Sequence, residues 1–215
     1  MRLLVARHGA TAHNLGGRIT GQTDAPLSPL GLRQAGALAA RLAGLRFDAL
    51  VSSDLVRASV TAERIARVVG LPVTLDPALR EIAMGAWEGR TGHELRREAP
   101  ERFARVIEDP TGEEAAPGGE SWAHFTARVD AARARWQAQY PAGRVLWVAH
   151  GGVVSALLLR ALGLSYDRRD QFARDNTSLF EFDYRPDRIV ILRANDTSHL
   201  DSFSDEVDGE RSQVI

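Results

Sequence analysis

The sequence predicts an α/β fold, a three-layer α/β/α sandwich on a mostly parallel sheet with an antiparallel edge. Short apolar runs alternate with segments of helical period along most of the chain, the pattern from which parallel sheets are wound. Two of those runs, RLLVA and RVLWVA, end in a histidine or lead straight to one, each followed by glycine. The last two runs are separated only by Arg185-Pro186-Asp187, a hairpin turn rather than a helical crossover.

The first strand is Arg2 to Ala6, and it opens into residues 10–27, a loop rich in Gly, Thr, Asn, Asp and Pro. Ser28 caps a helix with Pro29 at its first position, and Ala35, Leu38, Ala39 and Leu42 recur at helical spacing. Asp48 to Val51 is a second strand. Asp54 is placed to cap the next helix, which runs through Val56, Val60, Ile65 and Val68 to a terminating Gly70. Pro72 to Leu75 is a third strand, followed by a loop over residues 76–90.

Thr91 with Glu94 three residues on forms a capping box for a short helix, which Pro100 closes. Residues 109–120, with two Pro and three Gly, read as a linker or lid. Ser121 opens a long helix to about Tyr140. A buried strand, Arg144 to Ala149, leads through His150-Gly151-Gly152 into an apolar helix, Val153 to Leu162. Ser178 to Tyr184 and Arg188 to Ala194 are the hairpin strands. Residues 1–200 are expected to form a single domain, with 82–143 as a helical insertion over one end of the sheet. Residues 201–215 form a frayed acidic tail, five carboxylates against Arg211.

Composition narrows the chemistry. The 215 residues, 44% hydrophobic and 26% charged, suffice for a core. There is no Cys, which excludes disulfides, zinc ribbons, iron–sulfur ligation and thiolate nucleophiles. All 27 basic residues are Arg, so the P-loop lysine and Schiff-base chemistry are excluded too. Anion chemistry must therefore use guanidinium, imidazole or backbone N–H. A net charge of −1 leaves no footprint for nucleic acid. Apolar stretches such as VVSALLLRALGL are broken by Arg160, well short of the ~20 residues that span a bilayer. The apolar part of MRLLVARHG is too short for a signal peptide, so a cytoplasmic location is expected.

His8 and His150 each follow a strand, and in an open α/β sheet ligands bind outside the carboxyl ends of the strands. Either histidine alone reads as a strand-end residue satisfied by a carbonyl. Two at equivalent positions, each followed by Gly and one preceded by Arg7, point instead to a shared site. Gly151-Gly152 begin a helix whose free N–H groups favour an anion. Arg57, in the first turn of the helix after the second strand, aims at the same edge, although an isolated arginine there would more often be solvated.

Arg7-His8-Gly9 with Thr11 and Asn14, then PLSPLGLRQA, SSDLVRAS-TA, LREIAMGAWEG, PGGES and VAHGG, occur in that order from residue 3 to about residue 160. Together with N-T-S-L at Asn176, these segments resemble the histidine phosphatase superfamily, whose fold is phosphoglycerate mutase-like. The resemblance implies a phosphoryl group carried on His8. A neutral imidazole can attack phosphorus through Nε2 if a backbone carbonyl holds Nδ1–H. Arg7, Arg57 and His150 would stabilise the equatorial oxygens, with Asn14, Gly21 and Gly151 also binding phosphate. Glu81, in LREIAMGAWEG, matches the family's proton donor; the competing reading is a salt bridge to Arg7 or Arg57.

His13 lies near the pocket mouth where the family often has an aromatic residue, and His93, His124 and His199 read as surface residues. Trp87 and Trp122 are candidates for the cleft, with core packing the commoner fate of Trp, and Arg96-Arg97 read as a solvated face. Ala10, and Ala83-Met84 before Gly85, depart from the family's usual residues and bear on substrate preference. The expected activity is metal-independent phosphomonoester hydrolysis, with neither cofactor nor metal, acting on a small phosphorylated metabolite rather than nucleic acid or membrane. A homodimer is expected only by analogy. The alternative is a cofactor-dependent phosphoglycerate mutase, against which stand HGG in place of HGN, the PGGES segment and the absence of Lys. A non-catalytic phospholigand-binding module is the third reading.

Overall fold

The computed structural model describes residues 1–109 and 111–203. Six strands form one sheet: β1 (Arg2–Arg7), β2 (Ala49–Ser52), β3 (Val73–Leu75), β4 (Arg144–Ala149), β5 (Leu179–Tyr184) and β6 (Ile189–Asp196). Their order across the sheet is β3-β2-β4-β1-β5-β6. The first four strands run parallel, and β5 and β6 pair antiparallel, so the hairpin forms the expected edge.

Both faces of the sheet are covered at its centre, which is why the interiors of β1, β2 and β4 are runs of buried residues rather than alternating. Leu3, Val5, Val145, Trp147, Phe180 and Phe182 point to one side. There they meet α6 (Trp122–Gln139) and α7 (Gly151–Leu162) through residues such as Phe125, Val129, Val153 and Leu157. Leu4, Ala6, Leu50, Leu146 and Val148 point to the other side, against α2 (Pro29–Leu42) and α3 (Val56–Val69). Within the stretch expected as a helical insertion, α6 packs into the sheet's own core through Phe125, Val129, Ala132 and Trp136. A third, smaller cluster joins Met84, Trp87, Leu95, Phe103 and Val106 under α4 (Gly92–Glu98) and α5 (Pro100–Ile107).

Capping follows the sequence at three helix starts. Ser28 Oγ accepts from Gly31 N, and Ser121 Oγ accepts from His124 N. Thr91 and Glu94 form the reciprocal box. A second box, Thr11 with Asn14, starts α1 (Ala12–Leu15) inside the segment expected to be all loop. Two other expectations are corrected. Pro100 ends α4 but also sits in the first turn of α5, because the fixed φ that stops one helix suits the start of another. Asp54 does not cap α3: Leu55 holds the cap position, and the Asp54 carboxylate forms a bidentate pair with Arg80 at 2.7 and 2.5 Å.

Ser198–Phe203 form a 3₁₀ turn, so the frayed end does not begin at residue 201; residues 204–215 of the acidic tail lie outside the described residues. Among the described residues no helix is long and apolar enough to cross a membrane.

Candidate active site

β1 and β4 are neighbours at the middle of the sheet, with Arg7 opposite Ala149, so His8 and His150 emerge side by side. The amide of His8 donates to the Ala149 carbonyl at 3.0 Å. The ring centroids are 5.1 Å apart.

Two contacts define the His8 ring. Nδ1 is 2.7 Å from the Gly9 carbonyl, which can only accept, so the proton sits on Nδ1. The Arg57 Nε–H donates to His8 Nε2 at 3.2 Å, which requires a lone pair there. Burial, reinforced by the charges of Arg57 and Arg7, holds the His8 pKa well below 6.5. His150 is fully buried behind the cleft surface, with Nε2 2.8 Å from Ser53 Oγ and Nδ1 without a partner among the described residues. Burial and the neighbouring Arg57 also push its pKa well below 6.5.

Arg57 is held in place by backbone. Its two terminal nitrogens donate to the carbonyls of Thr23 (2.9 Å) and Gly21 (2.7 Å). Gly21 thus lines the cleft and orients the arginine through its carbonyl. Arg7 donates to the carbonyl of Arg174, and its desolvation lowers the guanidinium to about 10. The Glu81 carboxylate is held by backbone amides, accepting from Ile82 N at 2.9 Å and Gly152 N at 3.0 Å. A Cβ at Gly152 would lie 2.1 Å from Glu81 Oε1, so any side chain there would have to displace that carboxylate. Asn14 accepts through Oδ1 from Thr11 N and Asn176 Nδ2, which leaves its amide nitrogen for a ligand.

A cleft of about 300 Å³ is lined by Arg7, His8, Asn14, Gly21, Arg57, Glu81 and Gly151. The structure therefore brings all the sequence-predicted site residues together, with His150 set directly behind His8. Trp122 lines the cleft, whereas Trp87 is buried against Phe103. His93 and His124 are exposed, and Arg96 is exposed over the Phe103 ring. His199 is not a surface residue: it is half-buried with Nε2 3.1 Å from Thr177 Oγ1, and burial lowers its pKa to about 4.

Several supporting contacts are not apparent in the sequence. Asn176 Nδ2 and Thr177 N both donate to the His8 carbonyl. Glu88 accepts from Gln22 N, Thr23 Oγ1 and Met84 N, tying the loop that holds Arg57 to the loop that carries Glu81. Burial alone would raise the Glu88 pKa, but these hydrogen bonds bring it below the usual carboxylate value. Arg128 donates to the carbonyls of Ala78, Arg80 and Glu81 while paired with Glu120 at 2.7 Å. The PGGES segment thus braces Glu81 from behind, and its presence in the sequence was the available signal.

The chain matches the model of the histidine phosphatase superfamily (branch 1) over residues 3–197. A probable phosphoglycerate mutase GpmB from Salmonella choleraesuis is 35% identical over 207 residues, covering 94% of this chain and 96% of that protein. The crystal structure of a phosphoserine phosphatase mutant from Entamoeba histolytica, in complex with phosphoserine, superposes with a TM-score of 0.84 at 30% identity, covering 93% and 98% of the two chains. A mycobacterial glucosyl-3-phosphoglycerate phosphatase gives a TM-score of 0.81 at 34% identity, covering 90% and 98%. With the family model spanning nearly all of the described residues, the chain belongs to the histidine phosphatase superfamily, branch 1.

Proposed function

We propose that this protein is a metal-independent phosphomonoester hydrolase in which His8 carries the phosphoryl group and Glu81 serves as general acid and then general base. The observation that carries the reading is the state of the His8 ring. Its proton is held on Nδ1 by a carbonyl, and its Nε2 lone pair faces a guanidinium in the cleft.

In the first step the Nε2–P bond forms as the bond from phosphorus to the ester oxygen breaks. The protonated Glu81 carboxyl gives its proton to that oxygen. In the second step the Glu81 carboxylate takes a proton from water, whose oxygen attacks phosphorus. The N–P bond breaks, releasing inorganic phosphate and the free ring. The transition state is loose, with charge on the equatorial oxygens, so fixed cations contribute most. Arg7 and Arg57 are two such cations, both anchored to backbone carbonyls. Arg57 Nε gives up its contact with Nε2 as the phosphoryl group arrives and turns to an oxygen of that group. His150 Nδ1, the ring nitrogen with no partner among the described residues, is left to meet another.

The test is phosphate release from aryl and alkyl esters in EDTA, with capture of an acid-labile phosphoenzyme. Wild type is expected to give both and His8→Ala neither. Phosphoenzyme persisting in His8→Ala would overturn the assignment.

The name of the 35%-identical relative supports a second reading, transfer of the same phosphoryl group between hydroxyls of phosphoglycerate. Incubation with 3-phosphoglycerate and 2,3-bisphosphoglycerate separates the two, since a mutase converts the isomer and the hydrolase releases phosphate. The absence of Lys and HGG in place of HGN favour hydrolysis.

A further inference from the structure

Away from the phosphate end, the lining of the cleft changes character. Ile82, Met84, Ile107, Trp122 and Tyr166 contribute an apolar surface that begins at the residue next to Glu81. An alcohol leaving from beside Glu81 therefore meets hydrocarbon first.

Three further arginines line the same cleft. Arg18 is exposed and donates to the Gly89 carbonyl at 2.8 Å, whereas Arg169 and Arg174 lie beside the apolar surface, where a second anionic group on the substrate would need them free. Neither of those two is. Arg169 donates to the carbonyls of Ile107 at 2.8 Å and Tyr166 at 3.4 Å, and its guanidinium carbon lies 4.1 Å from the Tyr166 ring centroid. Arg174 donates to Ser155 Oγ. Both pair with the single carboxylate of Asp170, at 3.3 and 3.2 Å, and each side chain is only 12% exposed. Their hydrogen-bonding capacity is turned toward the protein.

That arrangement builds a platform. Tyr166 lies between Arg169 on one side and Trp122 on the other, with the two aromatic centroids 4.6 Å apart and their planes 29° from parallel. Trp122 also packs on Phe125 at 5.2 Å, so the indole is fixed before any ligand arrives. A fixed aromatic surface recognises an apolar ring at little cost in side-chain entropy.

We infer that the preferred substrates are phosphomonoesters of alcohols bearing an apolar or aromatic ring, recognised by Trp122 together with Ile82 and Met84. The inference rests on the phosphatase reading above and adds its substrate class. Small phosphorylated acids and polyols leave this surface unused.

The experiment compares kcat/KM for 2-phenylethyl phosphate, ethyl phosphate, glycerol 1-phosphate, glucose 6-phosphate and 3-phosphoglycerate. The first two are esters of primary alcohols, so their ratio reads recognition beyond the reacting oxygen. The phenylethyl ester is expected to exceed each of the others by at least tenfold. Trp122→Ala should shrink the phenylethyl-to-ethyl ratio at least tenfold, and Trp122→Phe, which keeps a ring in the stack, should retain most of it. Equal or better turnover of 3-phosphoglycerate, glycerol 1-phosphate or glucose 6-phosphate would overturn the inference and leave the phosphatase reading intact. A phenylethyl-to-ethyl ratio unchanged in Trp122→Ala would overturn the role of the indole. Phosphate release from none of the five would instead refute hydrolysis itself, and the substrate class would fall with it.

Discussion

The imidazole of His8 is constrained from two sides, by a carbonyl at Nδ1 and a guanidinium at Nε2, and Glu81 is constrained by two amides. Because a good leaving group needs little protonation, Glu81→Gln is expected to slow ethyl phosphate at least tenfold more than p-nitrophenyl phosphate. Equal losses in kcat/KM, which reads only the phosphorylation step, would leave Glu81 no part in protonating the leaving group. Gly152→Ala tests the space around that carboxylate, since the added methyl would lie 2.1 Å from Oε1. It should lower kcat by tenfold or more with folding retained, as read by circular dichroism and turnover; unchanged kcat would show that Glu81 can work from another position. The strand-end histidines and Arg57 were legible because each lies beside a local signal, a His-Gly step or a first helical turn. Arg174 and Glu88 were not. Their roles depend on contacts 167 residues away to Arg7 and 66 residues away to Gln22, and single-chain periodicity carries no trace of either.

Elements bounded by caps and glycines emerged from the sequence nearly in full, including α2 from Ser28 and Pro29 and α3 ending at Gly70. Their signals are local, one hydrogen bond or one left-handed residue each. Two short helices escaped. α1 lies in a segment whose composition is that of a loop, and α5 begins at the proline that ends α4. Proline and aspartate each serve more than one structural use, which also explains Asp54 pairing with Arg80 instead of capping α3. Ser28 does more than an ordinary cap, since its hydroxyl also donates to the Ala10 carbonyl at 3.1 Å, next to the loop of His8 and Gly9. Ser28→Ala should cost about 1–2 kcal/mol in urea unfolding. A loss below about 0.5 kcal/mol would show that neither bond matters to stability.

For the whole molecule, the buried imidazoles couple stability to pH. His8 and His150 have folded-state pKa values well below 6.5, and His199 about 4, so the native fold favours the neutral rings. The unfolded chain binds more protons once pH drops below about 6.5. Stability is therefore full above that value and is lost as pH falls toward the folded-state values. At pH 5 each of the two fully buried rings should cost up to about 2 kcal/mol. Urea midpoints at pH 7.5 and 5.0 measure this directly, and identical midpoints would mean that the rings charge freely inside the fold. Sheet order was only partly legible. Alternating strands and helices imply a parallel sheet, but placing β1 beside β4 rests on burial of both faces, a property of the assembled sandwich.

That pairing has a consequence for biosynthesis. The strand leading to His8 is synthesised well before its central neighbour, which is complete only when residue 149 has been added. Prematurely terminated products lacking β4 would carry an imidazole with neither its companion ring nor its sheet. On the mechanism proposed above, competence to take up a phosphoryl group waits on residue 149, and chains truncated before it should be inert toward phosphate esters.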